Sequence, residues 1–439
     1  MTDTPTPAAS GDQAAPSRDR AVPSRARALL LVAAIGGALS NFGILFIAAR
    51  SLGAQENTEF LVFWSLLFGA FGVLSGVQNE TTRATSRPSR TGARVFATTG
   101  IIGVGALVLI GATSPLWAPV MLPRTTLMGG LLLAIIGLLY PLYVTLVGAL
   151  GGARRWEEYA WAPMIEVVLR VGLVLIAAAA GLRLAGFEAA SATAVLTLAV
   201  MLALFPSARR ALGARSDVPL GRSLRNALLA MSSTACTAVL VTGYSALVAL
   251  TNPPASMAGM DPVAATTLTG ACMLAVSLTR APIMMPLTAF VGVAISAFTE
   301  HTGTVAAAVR KPFLLLGALG LAGAGAAWPI GPWALRLFRP EYDLPGWYFA
   351  VLTASSVLMA WLTILGALAL ATGHHVLYVV GWGIASVSAV VCLLLPLPLL
   401  VTTSLSLSVG PALGCALLAV ALSRAPRRAV DPGATSAAP

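Results

Sequence analysis

Charge is what this sequence has least of. Asp, Glu, Lys and Arg make up 10% of its 439 residues, where soluble domains carry about a quarter. Hydrophobic residues reach 57% and the mean hydropathy is +0.86. A water-soluble core cannot hide that much apolar surface, so a soluble globular protein is excluded and a polytopic membrane protein is indicated. Lysine is nearly missing: Lys311 stands against 26 arginines. With so much Ala and Gly, that bias reads as high-GC coding and carries no mechanism. The formal charge of +11 is scattered in short groups beside apolar tracts, which excludes a nucleic-acid footprint. The four cysteines lie in apolar tracts with no CxxC spacing, so neither a metal site nor a disulfide framework is expected. There is no GxxxxGK[ST] loop, so the chain is not expected to hydrolyse ATP.

What is there is a series of long apolar runs, six before and six after a polar interval at 207–225. They are continuous, which indicates helices; barrel strands would alternate. The interval holds Arg209, Arg210, Arg215, Arg222, Arg225 and one acid, Asp217. The expected plan is an all-α integral membrane protein of about twelve spans in two six-helix bundles. A cytoplasmic tail at 1–27 precedes a lobe at 28–206, the linker 207–225, a second lobe at 226–422 and a tail at 423–439. Spans are expected near 28–49, 60–79, 95–120, 127–150, 159–181, 187–206, 226–250, 263–298, 312–335, 347–371, 377–397 and 402–422. Span 8 is expected to be interrupted by Arg280, Pro282 and Pro286, and Pro141 to kink span 4. Loops and tails on the linker side hold 20 Lys and Arg, and those on the other side five. This asymmetry supports a plan with the linker and both termini on the cytoplasmic side, and the high-GC bias makes a bacterial plasma membrane the expected one. If the halves are repeats, their axis runs along the membrane normal.

Charges inside spans are the candidate functional groups. Glu166 and Arg170 are four apart on span 5, hence on one helix face. Each would cost about 2.5–3.5 kcal/mol at the centre of a lipid-exposed helix, so a pair facing protein or a wet cavity is expected. It either lines that cavity or simply ties span 5 to a neighbour. Arg280 precedes two prolines in the longest apolar tract; unwound backbone beside a charge suits a binding site, and an arginine can fork onto phosphate. The bland alternative is an early helix end with Arg280 snorkelling to a surface. Asn41 is a polar group in span 1, Arg50 caps its far end, and Gln78, Asn79 and Glu80 mark the inner end of span 2. Tyr140, Tyr143, Tyr244 and Trp361 can stack on sugars or pack between helices. No enzymatic constellation emerges, although the loops GARRWEEYAW and LFRPEYDLPGW leave a polyprenyl-dependent glycosyltransferase as an alternative.

The stretch FGILFIAARSLGAQENTEFLVFWSLLFGAFGVLSG, within 41–78, carries a first span, an Ala-Arg-x-Leu-Gly turn at 49–53, a polar interval ending at Phe60 and a glycine-containing second span. In this it resembles the opening of the MOP flippase superfamily, specifically its polysaccharide-biosynthesis branch. The twelve-span layout extends the resemblance over 28–422. The resemblance implies a MATE/MOP-like pair of bundles around a central cavity. It implies flipping of a polyprenyl-phosphate- or pyrophosphate-linked saccharide from the inner to the outer leaflet, for cell-envelope glycan synthesis. The partners it implies are the lipid-linked glycan, membrane lipids and other glycan-assembly proteins; no cofactor is called for, and an ion gradient of unspecified ion is a possible drive. Two departures matter. Span 1 holds no acid, unlike many cation-coupled multidrug exporters of the superfamily, which weakens that alternative. The count of twelve spans also differs from the lipid II branch, which commonly has two more. A non-transporting scaffold of a glycan-assembly complex is the remaining alternative.

Overall fold

The computed structural model of the protein describes residues 24–254, 257, 259–300 and 305–424. The expected tails 1–27 and 423–439 lie outside the described residues except at their inner edges. Fifteen helices follow in order. They are α1 (Ser24–Ser51), α2 (Ala54–Thr85), α3 (Val95–Met121), α4 (Thr126–Gly152), α5 (Trp156–Ala179), α6 (Leu184–Ser191), α7 (Ala194–Leu204) and α8 (Pro206–Ala211). Then come α9 (Leu220–Val241), α10 (Tyr244–Thr251), α11 (Pro262–Glu300), α12 (Val305–Phe338), α13 (Gly346–Ala371), α14 (His375–Leu393) and α15 (Leu399–Arg424). Among the described residues there is no strand, and the one isolated bridge joins Arg94 to Arg215. Among the described residues twelve segments are long and apolar enough to span a membrane, counting α6 with α7 as one. The all-α, twelve-span plan therefore stands.

Three local departures from the expected spans follow from the backbone. The polar run at 55–59 is not loop: α2 starts at Ala54, and Glu56 reaches back to the Gly53 N–H from the third helical position. Span 7 is broken at 242–243, where Gly243 lies close to the α9 carbonyls of Ala238 and Val239. Span 8 is one unbroken helix through Arg280 and Pro282. The interruption expected in that span occurs in its neighbour instead.

The helices alternate in direction between two ends. One end carries the loops around Gly53, Arg124, Arg183 and Arg339; the other carries the linker, Ser24 and Arg424. The lobes meet chiefly along α2, which packs on α9 and α11. Gly72 and Gly76 form a GxxxG step on α2, and it is the lack of Cβ atoms that lets α9 approach. A Cβ on Gly76 would lie 2.5 Å from the Met231 nitrogen, and one on Gly72 would lie 2.7 Å from the Ala238 Cβ.

The linker is an ordered part of the structure. Ser216 N–H donates to the Ala93 carbonyl at 2.8 Å, and Arg215 donates to the carbonyls of Arg90 and Gly92. Arg83 is bonded to both Glu80 and Asp217, at 2.6 and 2.8 Å. Burial raises the Asp217 carboxyl, but the Arg83 guanidinium, the Ser216 hydroxyl and a backbone N–H together leave it below its usual range.

Candidate functional site

Between the lobes lies a cavity of about 680 Å³. Its walls come from α1, α2 and α5 on one side and from α9, α10 and α11 on the other. Phe68 of its lining sits about 21 Å along α2 at 1.5 Å per residue, near the middle of a ~30 Å hydrocarbon layer. Arg170 and Arg280 both line it, one from each lobe, and so do Asn41 and Tyr244. Four residues singled out from sequence alone are thus brought together.

The two arginines are held differently. Arg170 is 7% exposed and ion-paired with Glu166 one helical turn away. The second Glu166 oxygen accepts from the Tyr143 hydroxyl at 3.0 Å. The Arg170 guanidinium lies over Phe68 at 5.1 Å from the ring centre, a favourable cation–π placement, and its Nε has no hydrogen-bond partner. Arg280 is 8% exposed and has no carboxylate partner among the described residues. Its NH1 donates to the carbonyls of Leu240 and Val241, the orphan acceptors at the broken end of α9. The guanidinium sits 5.4 Å from the centre of the Tyr244 ring, and the Tyr244 hydroxyl donates to the Thr403 carbonyl. The other terminal nitrogen, NH2, is buried without a partner. The break at 242–243 therefore supplies both the carbonyls and the aromatic ring that hold Arg280 in the cavity wall.

Several hydroxyls in the wall are already committed as donors. Ser40 donates to the Gly37 carbonyl, Ser277 to that of Met273 and Thr242 to that of Ala238. They offer lone pairs to a ligand, not protons. Donors come from the arginines and from Asn41 and Ser245, which make no hydrogen bond among the described residues.

Other expected site residues lie elsewhere. Arg50 is exposed and rests over Phe46. Tyr140 stacks on Phe71 at 3.8 Å and is buried among helices. Gln78 reaches the Tyr159 hydroxyl, Asn79 is exposed, and Glu80 is bound to Arg83, all toward the linker end of α2. Trp361 stacks on Phe313. A second cleft, of about 730 Å³, lies at the Gly53 end. Its polar groups are already engaged with one another: Arg183 is ion-paired with Glu56, and Arg124 donates to the Gln55 side-chain carbonyl.

Two features had no forecast. The buried carboxyls of Glu59 and Glu188 flank one hydroxyl, that of Thr125, at 3.0 and 2.9 Å. They knit α2, α4 and α6 at the Gly53 end; the polar run around Glu59 read as loop and hid it. The second feature is a polar latch between lobes at the same end. Arg339, 9% exposed, donates to the carbonyls of Ala49, in the last turn of α1, and of Leu52 just beyond it. Asn57 donates to the Tyr342 hydroxyl at 2.9 Å and Thr58 to the Thr266 carbonyl at 3.0 Å.

Solved structures place this architecture. A MOP superfamily transporter from Pyrococcus furiosus, described as having a binding pocket of reverse polarity, aligns with a TM-score of 0.62 at 14% identity, over 91% of this chain and 96% of that one. Inward-facing and outward-facing conformations of a multidrug resistance MATE family transporter align with TM-scores of 0.58 and 0.57 at 15% identity. They cover 90% and 92% of this chain and 94% and 97% of theirs. The chain has the fold of the MOP superfamily transporters. No family model matches it. Among curated proteins, the uncharacterized protein Rv1510 of Mycobacterium tuberculosis is 34% identical over 394 residues, 88% of each chain. The uncharacterized protein Rv3630 of the same organism is 33% identical over 399 residues, 88% of this chain and 89% of its own. The chain belongs to the family that these mycobacterial proteins form.

Proposed function

We propose that the protein is a flippase that carries the anionic head of a polyprenyl-linked saccharide through the cavity between its lobes, with the lipid tail left in the bilayer. The observation that carries this reading is the meeting of Arg170 and Arg280, from opposite lobes, on one cavity with a buried N–H of each left unpartnered. An unmet buried donor costs free energy unless a ligand meets it, and arginine is suited to phosphate oxygens. The wall's free acceptors suit sugar hydroxyls. A positive wall disfavours cations, which sets the cation-coupled multidrug exporter behind this reading.

In this account the linker end faces the cytoplasm, a placement the arginine asymmetry supports. The Arg339–Tyr342 latch then closes the external side while the head is loaded. Release needs the latch to part, so the cavity serves the two sides in turn and no continuous leak forms.

The test is the sidedness of the lipid-linked saccharide in membrane vesicles, read with a sugar-directed reagent that cannot cross the bilayer, with and without depletion of the protein. Accumulation on the cytoplasmic leaflet supports the flippase. An unchanged distribution under complete depletion, with no redundant carrier present, removes it.

A further inference from the structure

We propose that the head group this cavity accepts bears one negative charge, a phosphodiester joining the lipid to its sugar, and that a pyrophosphate linkage is discriminated against. The proposal rests on the transport reading above and adds the charge class of its substrate.

The argument is a charge count. Arg170 and Arg280 are the charged residues among the described lining of the cavity. Arg170 is already neutralised by Glu166. That carboxylate is in turn fully engaged, one oxygen on Arg170 and the other on the Tyr143 hydroxyl, so it is not free to leave its partner without loss. Arg280 is bonded to two carbonyls and stacked on Tyr244. Those dipoles hold the guanidinium in place but cancel no formal charge. The cavity therefore carries a net formal charge of about +1 with a ligand absent, counted over side chains at neutral pH.

A monoanionic phosphodiester brings that to zero. A pyrophosphate diester brings two charges, leaving one unmatched in a low-dielectric site where an unpaired charge is expensive. Donors for the phosphoryl oxygens come from the two arginines and from the uncharged Asn41 and Ser245 side chains, while the hydroxyl oxygens of Ser40, Ser277 and Thr242, already donating to backbone carbonyls, face the sugar as acceptors.

Glu166 is then the residue that sets the charge class, acting through Arg170 as a positioning group. Neutralising it releases the Arg170 charge into the cavity and raises the count to about +2. The variant should therefore change preference, which a purely structural role for Glu166 would not do.

The experiment measures equilibrium binding to the full chain in lipid nanodiscs with three probes: glucosyl geranyl phosphate, glucosyl geranyl pyrophosphate and phosphatidylglycerol. The wild-type protein should bind the glycosyl phosphate roughly tenfold or more tighter than the glycosyl pyrophosphate. Glu166→Gln should close or invert that ratio, and Arg280→Gln should weaken both glycolipids. Tighter binding of the pyrophosphate by the wild type, or a ratio unmoved in a folded Glu166→Gln protein, overturns the single-charge assignment while leaving the flippase standing. No binding of either glycolipid overturns the flippase reading itself. Phosphatidylglycerol, also a monoanionic phosphodiester, separates the sources: if it matches the glycosyl phosphate, the charge assignment holds and the saccharide part of the proposed function fails.

Discussion

Arg170 and Arg280 do opposite things with the same side chain. Arg170 sits in the middle of an intact helix, over two aromatic rings, with a carboxylate one turn away. Arg280 also sits in an intact helix, but what meets it is the end of a broken one, and no carboxylate among the described residues balances it. The first is a closed ion pair with one spare donor. The second is a charge retained at a cost, held by carbonyl dipoles and a ring. The contrast teaches where ligand charge is to be met: a buried cation without a counter-ion is stable only where geometry or a bound anion compensates it.

The largest effect should come from breaking the closed side. Arg170→Gln strands the half-buried Glu166 carboxylate with only Tyr143 and should cost about 3–5 kcal/mol of stability. The double variant Glu166→Gln/Arg170→Gln should recover most of that, and thermal unfolding in detergent reads both. If the single and double variants are equally unstable, the pair is not what the charge count takes it to be. Arg280→Gln should do the reverse: the lost bonds to the Leu240 and Val241 carbonyls are offset by removal of an unpaired buried charge, so unfolding should change far less than in Arg170→Gln, while glycolipid binding weakens by about a hundredfold, the equivalent of about 2.7 kcal/mol. A loss of stability in step with the loss of binding would erase the distinction between the two arginines.

The comparison extends to Arg339, a third buried arginine met mainly by carbonyls. Arg339→Gln removes charge-assisted bonds to Ala49 and Leu52 worth about 1.5–3 kcal/mol. It should shift the protein toward opening at the Gly53 end. Faster labelling of a cysteine placed at Thr266, whose carbonyl accepts from Thr58 across the divide, would report it; unchanged labelling would mean that the latch is only local packing. The smallest effect belongs to Asp217, whose bridge to Arg83 is half open to solvent. Asp217→Asn should cost under about 1 kcal/mol. Because the folded carboxyl lies below its ordinary range, its contribution is full above that range and fades as pH falls through the lowered value. Unfolding midpoints of the variant and the parent should therefore converge in acid.

How much of this was legible depended on whether the signal was local. Twelve spans follow from run length and hydropathy, which the bilayer dictates residue by residue. The Glu166–Arg170 pair follows from helical spacing alone. Arg280 was visible as a charge in an apolar tract, but its surroundings were misplaced: prolines drew the expected break to 282–286, whereas the chain breaks at 242–243 in an apolar run with only Gly243 to mark it. Glu59 and Glu188 were missed because what brings them together is a contact through Thr125, in the turn before a third helix. The latch was missed for the same reason, since Asn57 and Tyr342 are 285 positions apart. Contacts between distant segments leave no periodicity to read.

The most direct test of the central claim is flipping of a glycosyl polyprenyl phosphate in proteoliposomes, comparing the wild-type chain with a folded Arg280→Gln variant at equal incorporation. The account predicts movement of the saccharide to the opposite leaflet with the wild type and a rate near that of empty liposomes with the variant. Equal rates for the two proteins would contradict it, because the unpaired arginine between the lobes would then have no part in carrying the anion.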